Sequence, residues 1–166
     1  MSDRETLSLA QALRAVVPES GLFFVNDRID IGLAAYANGV HLGVSDLPLE
    51  AARSLSPQGF VIGYSPETDD EARDAGRRGA DYLGVGPIYG TNSKSDAGPA
   101  VGIEMVTRRQ ELSQLPVVGI GGITADNARS VVEAGACGVA VMSAVTRSPN
   151  PEQSVRELLA LLPEPK

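Results

Sequence analysis

The stretch "RGADYLGVGPIYGTNSK", residues 78–94, holds the end of one structural unit and the start of the next. Gly79 closes a charged segment of helical spacing, "DDEARDAGRR" (69–78), and an apolar run opens a few residues later. A glycine at that joint supplies the left-handed conformation that satisfies the last carbonyls of a helix. Leu83 to Tyr89 reads as a buried strand whose end is loosened by Gly84, Gly86 and Pro87. Gly90, Thr91, Asn92, Ser93, Lys94 and Ser95 then crowd small hydroxyl donors around one ammonium. Such a loop can cradle a phosphate, with Lys94 as the point charge and Thr91 and Ser93 donating. The alternative is a solvated turn built of ordinary loop formers.

The same joint recurs. "ANGVHLG" (37–43) and "AGACGVAVMS" (134–143) also place a glycine, Gly39 or Gly135, between a helical segment and an apolar strand. Six short apolar runs result: Leu22–Val25, Val40–Leu42, Phe60–Gly63, Tyr82–Val85, Pro116–Ile120 and Gly138–Met142. Between them "IDIGLAAYANG", "DDEARDAGRRG" and "TADNARSVVEAG" show helical spacing, with Thr124 and Asp126 as caps for the last. "ETLSLAQALRAVVPESG" (5–21) forms a helix ahead of the first strand. Uniformly apolar strands alternating with helices predict a parallel sheet covered by helices. Repetition of one strand–helix unit favours the (β/α)8 TIM-barrel type over a doubly wound sheet. The expected fold is α/β, with about six parallel strands in a single domain over residues 1–166.

Bulk properties narrow the function. At 166 residues the chain can bury a sizeable core. A net charge of −7 with no basic stripe argues against a nucleic-acid partner. The single cysteine, Cys137, excludes an internal disulfide and opens an apolar run, so it is expected buried and inert. Met1 to Leu7 is polar and no apolar run approaches the ~18 residues of a membrane span. These features predict a soluble, cytoplasmic protein without a membrane partner.

A barrel places its chemistry at the C-terminal ends of its strands. Those ends read "NDR" after Val25, "GVSD" after Leu42, "YS" after Gly63, "GTNSK" after Tyr89, "GGI" after Ile120 and "SA" after Met142. The opposite ends carry simple turns. Asp27 and Asp46 follow successive strands, and a pair of carboxylates with room for water suits Mg²⁺. Each aspartate taken alone reads equally well as a cap of the next helix. Gly121 and Gly122, followed by Met142 and Ser143, match the backbone phosphate site common after the last two strands of barrels. A tight turn requiring glycine is the other reading. His41, the only histidine, lies inside a strand and is expected to be structural.

With these residues in place, the chain resembles the thiamine phosphate synthase family along nearly its whole length. "FFVNDRIDIGLAAYANGVHLGVSDLP" (23–48) is similar to that family's "NDR…D…GVHLG…DLP" signature. "GADYLGVGPIYGTNSK" resembles its strand and "TxTK" loop, and "PVVGIGGI" and "GVAVMSA" resemble its closing phosphate motifs. The resemblance implies a magnesium-dependent transferase of thiamine biosynthesis. Hydroxymethylpyrimidine diphosphate would lose pyrophosphate, and the nitrogen of thiazole phosphate would capture the pyrimidinyl cation. It further implies that Asp27 and Asp46 hold Mg²⁺, with Asn26 beside them. Thr91, Ser93 and Lys94 would bind the pyrophosphate, and Ser65 would lie near the reacting centre. Gly122, Met142 and Ser143 would take the thiazole phosphate. Ser65 and Lys94 are the catalytic candidates.

Two departures accompany the match. The family's "TxTK" appears as "TNSK", which keeps the hydroxyl. The family also begins with a strand, a helix and a second strand ending in "QxRxK", whereas this chain opens within what resembles the second helix. The expectation is therefore a barrel incomplete at its N-terminus, with bare edges at Leu22–Val25 and Gly138–Met142 that promote self-association and weaken turnover. Two other functions compete. A thiazole tautomerase-like isomerase would lack the pyrophosphate loop and use a histidine where this chain reads "GYSPET" (63–68). A non-catalytic phosphate-binding remnant would keep only the Gly121–Gly122 and Ser143 site.

Overall fold

The computed structural model describes residues 1–91, 93 and 98–162. The chain divides into two compact units, Met1–Tyr82 and Leu83–Lys166. Among the described residues six strands alternate with helices, and the pairings within each unit are parallel.

The first unit opens with α1 (Asp3–Val16), β1 (Phe24–Asn26), α2 (Ile29–Ala34) and β2 (Gly39–Gly43). It continues through α3 (Leu49–Leu55), β3 (Val61–Ser65) and α4 (Asp69–Arg78) to Tyr82, the first residue of β4 (Tyr82–Val85). Helix α1 starts at a capping box in which Ser2 and Glu5 satisfy each other's backbone N–H. Its Ala10 packs on Ile31 and Ala35, with Leu7, Phe23 and Val25 partly covered beside them. Strand β1 aligns Asn26 with His41, and β2 aligns His41 with Gly63 and Gly43 with Ser65. Val40, Leu42 and Ile62 of the strands and Leu49, Ala52, Ala72 and Ala75 of the helices are buried. At the N-terminal end of β3, Arg53 binds the Gly79 and Phe60 carbonyls and the Asp81 carboxylate.

The second unit contains β4, α5 (Glu104–Ser113), β5 (Val117–Ile120), α6 (Ala128–Glu133), β6 (Gly138–Ala140), α7 (Ser143–Thr146) and α8 (Pro151–Leu159). Val85 aligns with Gly119, and Gly119 with Val139. Leu83, Ile88, Val106, Val117 and Val131 form its buried centre. No helix among the described residues is long and apolar enough to cross a membrane.

All six expected strands form, with shifted ends. The strand read as Leu83–Tyr89 stops at Val85, because Pro87 has no N–H for a ladder. Ile88 and Tyr89 instead donate to the Ile120 and Gly121 carbonyls at 2.8 and 3.0 Å. Gly79 and Gly135 take the left-handed conformation expected of them, at φ 114° and 109°. Gly39 does not. Tyr36, at φ 55°, follows the end of α2, and Gly39 lies inside β2 for want of space. A Cβ there would stand 2.3 Å from the Val61 carbonyl oxygen and 2.4 Å from the Phe24 ring.

Two further expectations are corrected. Neither Thr124 nor Asp126 caps α6, whose N-cap is Asn127. The Asn127 side chain accepts from the Thr124 N–H and donates to the Gly122 carbonyl, so it braces the loop rather than the helix. Cys137 is exposed, not buried. Ala136 turns inward at the joint and the next side chain therefore turns out.

Candidate active site

In the first unit, four of the expected site residues occupy the C-terminal ends of β1, β2 and β3. Asn26 is the last residue of β1, and Asp27 follows it in the left-handed region at φ 66°. Aspartate tolerates that conformation better than most residues. The Asp27 N–H donates to the His41 carbonyl at 2.8 Å, which fixes the turn against β2. Asp46 stands three residues beyond β2, and its Oδ2 accepts the Gly43 N–H at 2.6 Å. Ser65 ends β3 beside Gly43. The register therefore puts Ser65 next to the strand end that the Asp46 carboxylate closes.

Neither aspartate takes the N-cap position of the helix that follows it. The N-caps of α2 and α3 are Arg28 and Pro48, and neither helix start receives a side-chain cap. Asp27 and Asp46 are thus carboxylates that follow adjacent strands, and neither is the N-cap residue of the next helix. Among the described residues no group of three or more His, Cys, Asp or Glu gathers as a metal cage. Two hard oxygen donors on adjacent strand ends fit Mg²⁺, which usually takes one or two carboxylates and completes its shell with water and phosphate oxygens. Arg28, next in sequence, is gripped by Asp30 through two bonds of 2.8 and 2.6 Å and by Asp3 of α1 at 2.9 Å. Those bonds raise the guanidinium pKa further and hold both carboxyls below their usual range.

Sequence reading missed one feature of this unit. His41, expected to be structural, has partners that no local pattern announced: its Nε2 lies 2.8 Å from Ser65 Oγ and its Nδ1 lies 3.0 Å from the Tyr82 hydroxyl. The available signal was Gly63, the residue opposite His41 in β3, which leaves room for a ring to cross the strand.

In the second unit, the loop after β4 and the turn after β5 are locked together. Gly121 and Gly122 adopt φ 94° and 65°. A Cβ on Gly121 would stand 2.6 Å from Pro87 Cα, and one on Gly122 2.6 Å from the Gly90 carbonyl oxygen. Only glycine permits this approach. Thr91 and Ser93 are half-buried, and the Ser93 N–H donates to Thr91 Oγ1 at 3.2 Å. Lys94 lies outside the described residues. Met142 is the exposed N-cap of α7 and Ser143 its first residue. Thr91, Ser93, Gly122, Met142 and Ser143 therefore follow the C-terminal ends of β4, β5 and β6.

Parallel strand–helix units with polar loops at the strands' C-terminal ends define an α/β protein of the barrel type. A solved 3-hexulose-6-phosphate synthase shares this fold, with a TM-score of 0.76 at 17% identity over 95% of this chain and 81% of its own. The chain belongs to the thiamine monophosphate synthase family, whose model matches residues 1–145. The thiamine-phosphate synthase of Methanospirillum hungatei is 48% identical over 159 residues, which span 95% of this chain and 77% of that protein. That of Coprothermobacter proteolyticus is 45% identical over 164 residues, 98% of this chain and 77% of its own. The solved thiamine phosphate pyrophosphorylase from Pyrococcus furiosus superposes with a TM-score of 0.86 at 38% identity, covering 97% of this chain and 77% of that structure.

Proposed function

We propose that this chain is a thiamine-phosphate synthase, which joins hydroxymethylpyrimidine diphosphate to thiazole phosphate and releases pyrophosphate. The observation that supports this most is the 48% identity to a thiamine-phosphate synthase, which runs through 95% of the chain. In the reaction, the bond between the pyrimidine's methylene carbon and the diphosphate oxygen breaks, and the diphosphate leaves with the electron pair. The lone pair of the thiazole nitrogen then forms the new C–N bond.

Departure of a diphosphate demands that its growing negative charge be neutralised. Asp27 and Asp46 would hold Mg²⁺, which when bound supplies that neutralisation. Thr91 and Ser93 donate to the diphosphate, and Lys94 adds an ammonium. Asn26 lies beside the aspartates, and Ser65 lies near the reacting carbon. Gly122, Met142 and Ser143 take the phosphate of the thiazole, Gly122 by letting the backbone come close. The isomerase alternative lacks its histidine in "GYSPET".

The direct test supplies the chain with both substrates and Mg²⁺ and measures pyrophosphate and thiamine phosphate together. Product in equal amounts, dependent on both substrates, is expected. Binding of thiazole phosphate without product would overturn the synthase reading in favour of a non-catalytic phosphate-binding protein.

A further inference from the structure

Tyr82, His41 and Ser65 form a chain of hydrogen bonds to which the reaction above assigns no purpose beyond the serine. Tyr82 Oη lies 3.0 Å from His41 Nδ1, and His41 Nε2 lies 2.8 Å from Ser65 Oγ. The two rings are packed with centroids 5.5 Å apart, and the Tyr82 ring stands edge-on to Phe24 at 6.0 Å. Gly63 makes the arrangement possible. A Cβ there would stand 2.2 Å from Tyr82 Cζ and 2.4 Å from His41 Nδ1.

For a neutral imidazole, donor accounting gives the direction of the bonds. Burial raises the Tyr82 pKa, so the phenol keeps its proton at neutral pH. A half-buried O–H donates to an acceptor within reach, and among the described residues His41 Nδ1 is the one it meets. With Nδ1 accepting, the imidazole proton resides on Nε2 and is donated to Ser65 Oγ. The serine oxygen then accepts from His41, and its own proton is turned away from the ring.

We infer that Tyr82 is a positioning residue: through His41 it sets Ser65 as a hydrogen-bond donor to an acceptor atom of the bound pyrimidine. The catalytic half of this inference rests on the synthase reading; the orientation of His41 does not. His41 is the only histidine of the chain, so the imidazole ¹⁵N signals of the untagged protein belong to it alone.

The experiment pairs ¹⁵N spectra of the neutral ring with steady-state kinetics. The wild-type chain should show a protonated Nε2 and an unprotonated Nδ1. Tyr82→Phe keeps the ring against Phe24 and removes only the hydroxyl. It should redistribute the proton between the two nitrogens and lower kcat about fivefold, leaving KM for thiazole phosphate unchanged. In a Ser65→Ala background, Tyr82→Phe should cost nothing further. A wild-type proton on Nδ1, a spectrum unmoved by Tyr82→Phe, or equal losses in both backgrounds would overturn the inference. The spectra need no turnover, so a wild-type chain without product would overturn the functional reading alone.

Discussion

Asp27 combines a carboxylate with a backbone at φ 66°, so its replacements do not all ask the same question. Asparagine tolerates the left-handed region as well as aspartate does, and Asp27→Asn removes charge while sparing the turn. Asp46→Asn likewise keeps an oxygen for the Gly43 N–H. Each should lower turnover at limiting Mg²⁺ by about a hundredfold or more, with the fold intact by circular dichroism. Rates unchanged in both variants would remove the metal role. The two anion loops call for a different choice of residue. Gly122→Val would press on Gly90 and Tyr89 as well as on its own turn, and so would disturb both loops at once. Ser143→Ala is cleaner. It should raise KM for thiazole phosphate about fivefold and leave the diphosphate substrate alone, whereas Lys94→Ala should do the reverse and more strongly. If both variants lose the same ligand by titration, the division of the two phosphates between the loops is wrong.

Among the elements, α4 is stabilised at both ends by devices written in its sequence. Thr68 and Glu71 form its capping box and Gly79 closes it in the left-handed conformation. Thr68→Ala should cost about 1 kcal/mol in denaturant unfolding. Gly39→Ala should cost about 3 kcal/mol, since the added methyl meets a backbone carbonyl that cannot move aside. The contrast between these glycines shows what sequence reading could reach. Gly79 is legible because its reason is local: a helix ends there and the next residues are strand. Gly39 follows the same pattern but is glycine for the Phe24 ring and the Val61 carbonyl, one each from β1 and β3, which no local pattern reveals. The strand positions and their polar ends were legible for the first reason, since burial on both faces leaves uniformly apolar runs. The partners of His41 were hidden for the second. They come from β3 and β4, and only the strand register brings Ser65 and Tyr82 to its two nitrogens.

For the whole molecule, the titrating groups set a window of stability. Asp3, Asp30 and Glu50 are held below their ordinary carboxyl range by Arg28 or Arg78, and Glu5 and Glu71 by backbone N–H groups at helix starts. The unfolded chain binds more protons than the folded one as pH falls through these groups, so their contribution is complete above about pH 4.5 and lost below it. Desolvation by neighbouring protein atoms raises Tyr64, Tyr82 and, although the residue is exposed, the Cys137 thiol. There the folded chain keeps protons that the unfolded chain releases, and stability falls as pH rises beyond about 9. The urea midpoint should therefore be flat between about pH 5 and 9 and decline on either side; a midpoint still rising at pH 3 would contradict the assignment. The outward turn of Cys137 has a practical consequence. It is the chain's sole thiol, and β6 lies between it and Met142–Ser143. A maleimide dye attached there gives a uniformly single-labelled protein whose reporter stands clear of the proposed phosphate loop. Because the thiol gives up its proton reluctantly, the coupling should need mildly alkaline buffer to go to completion.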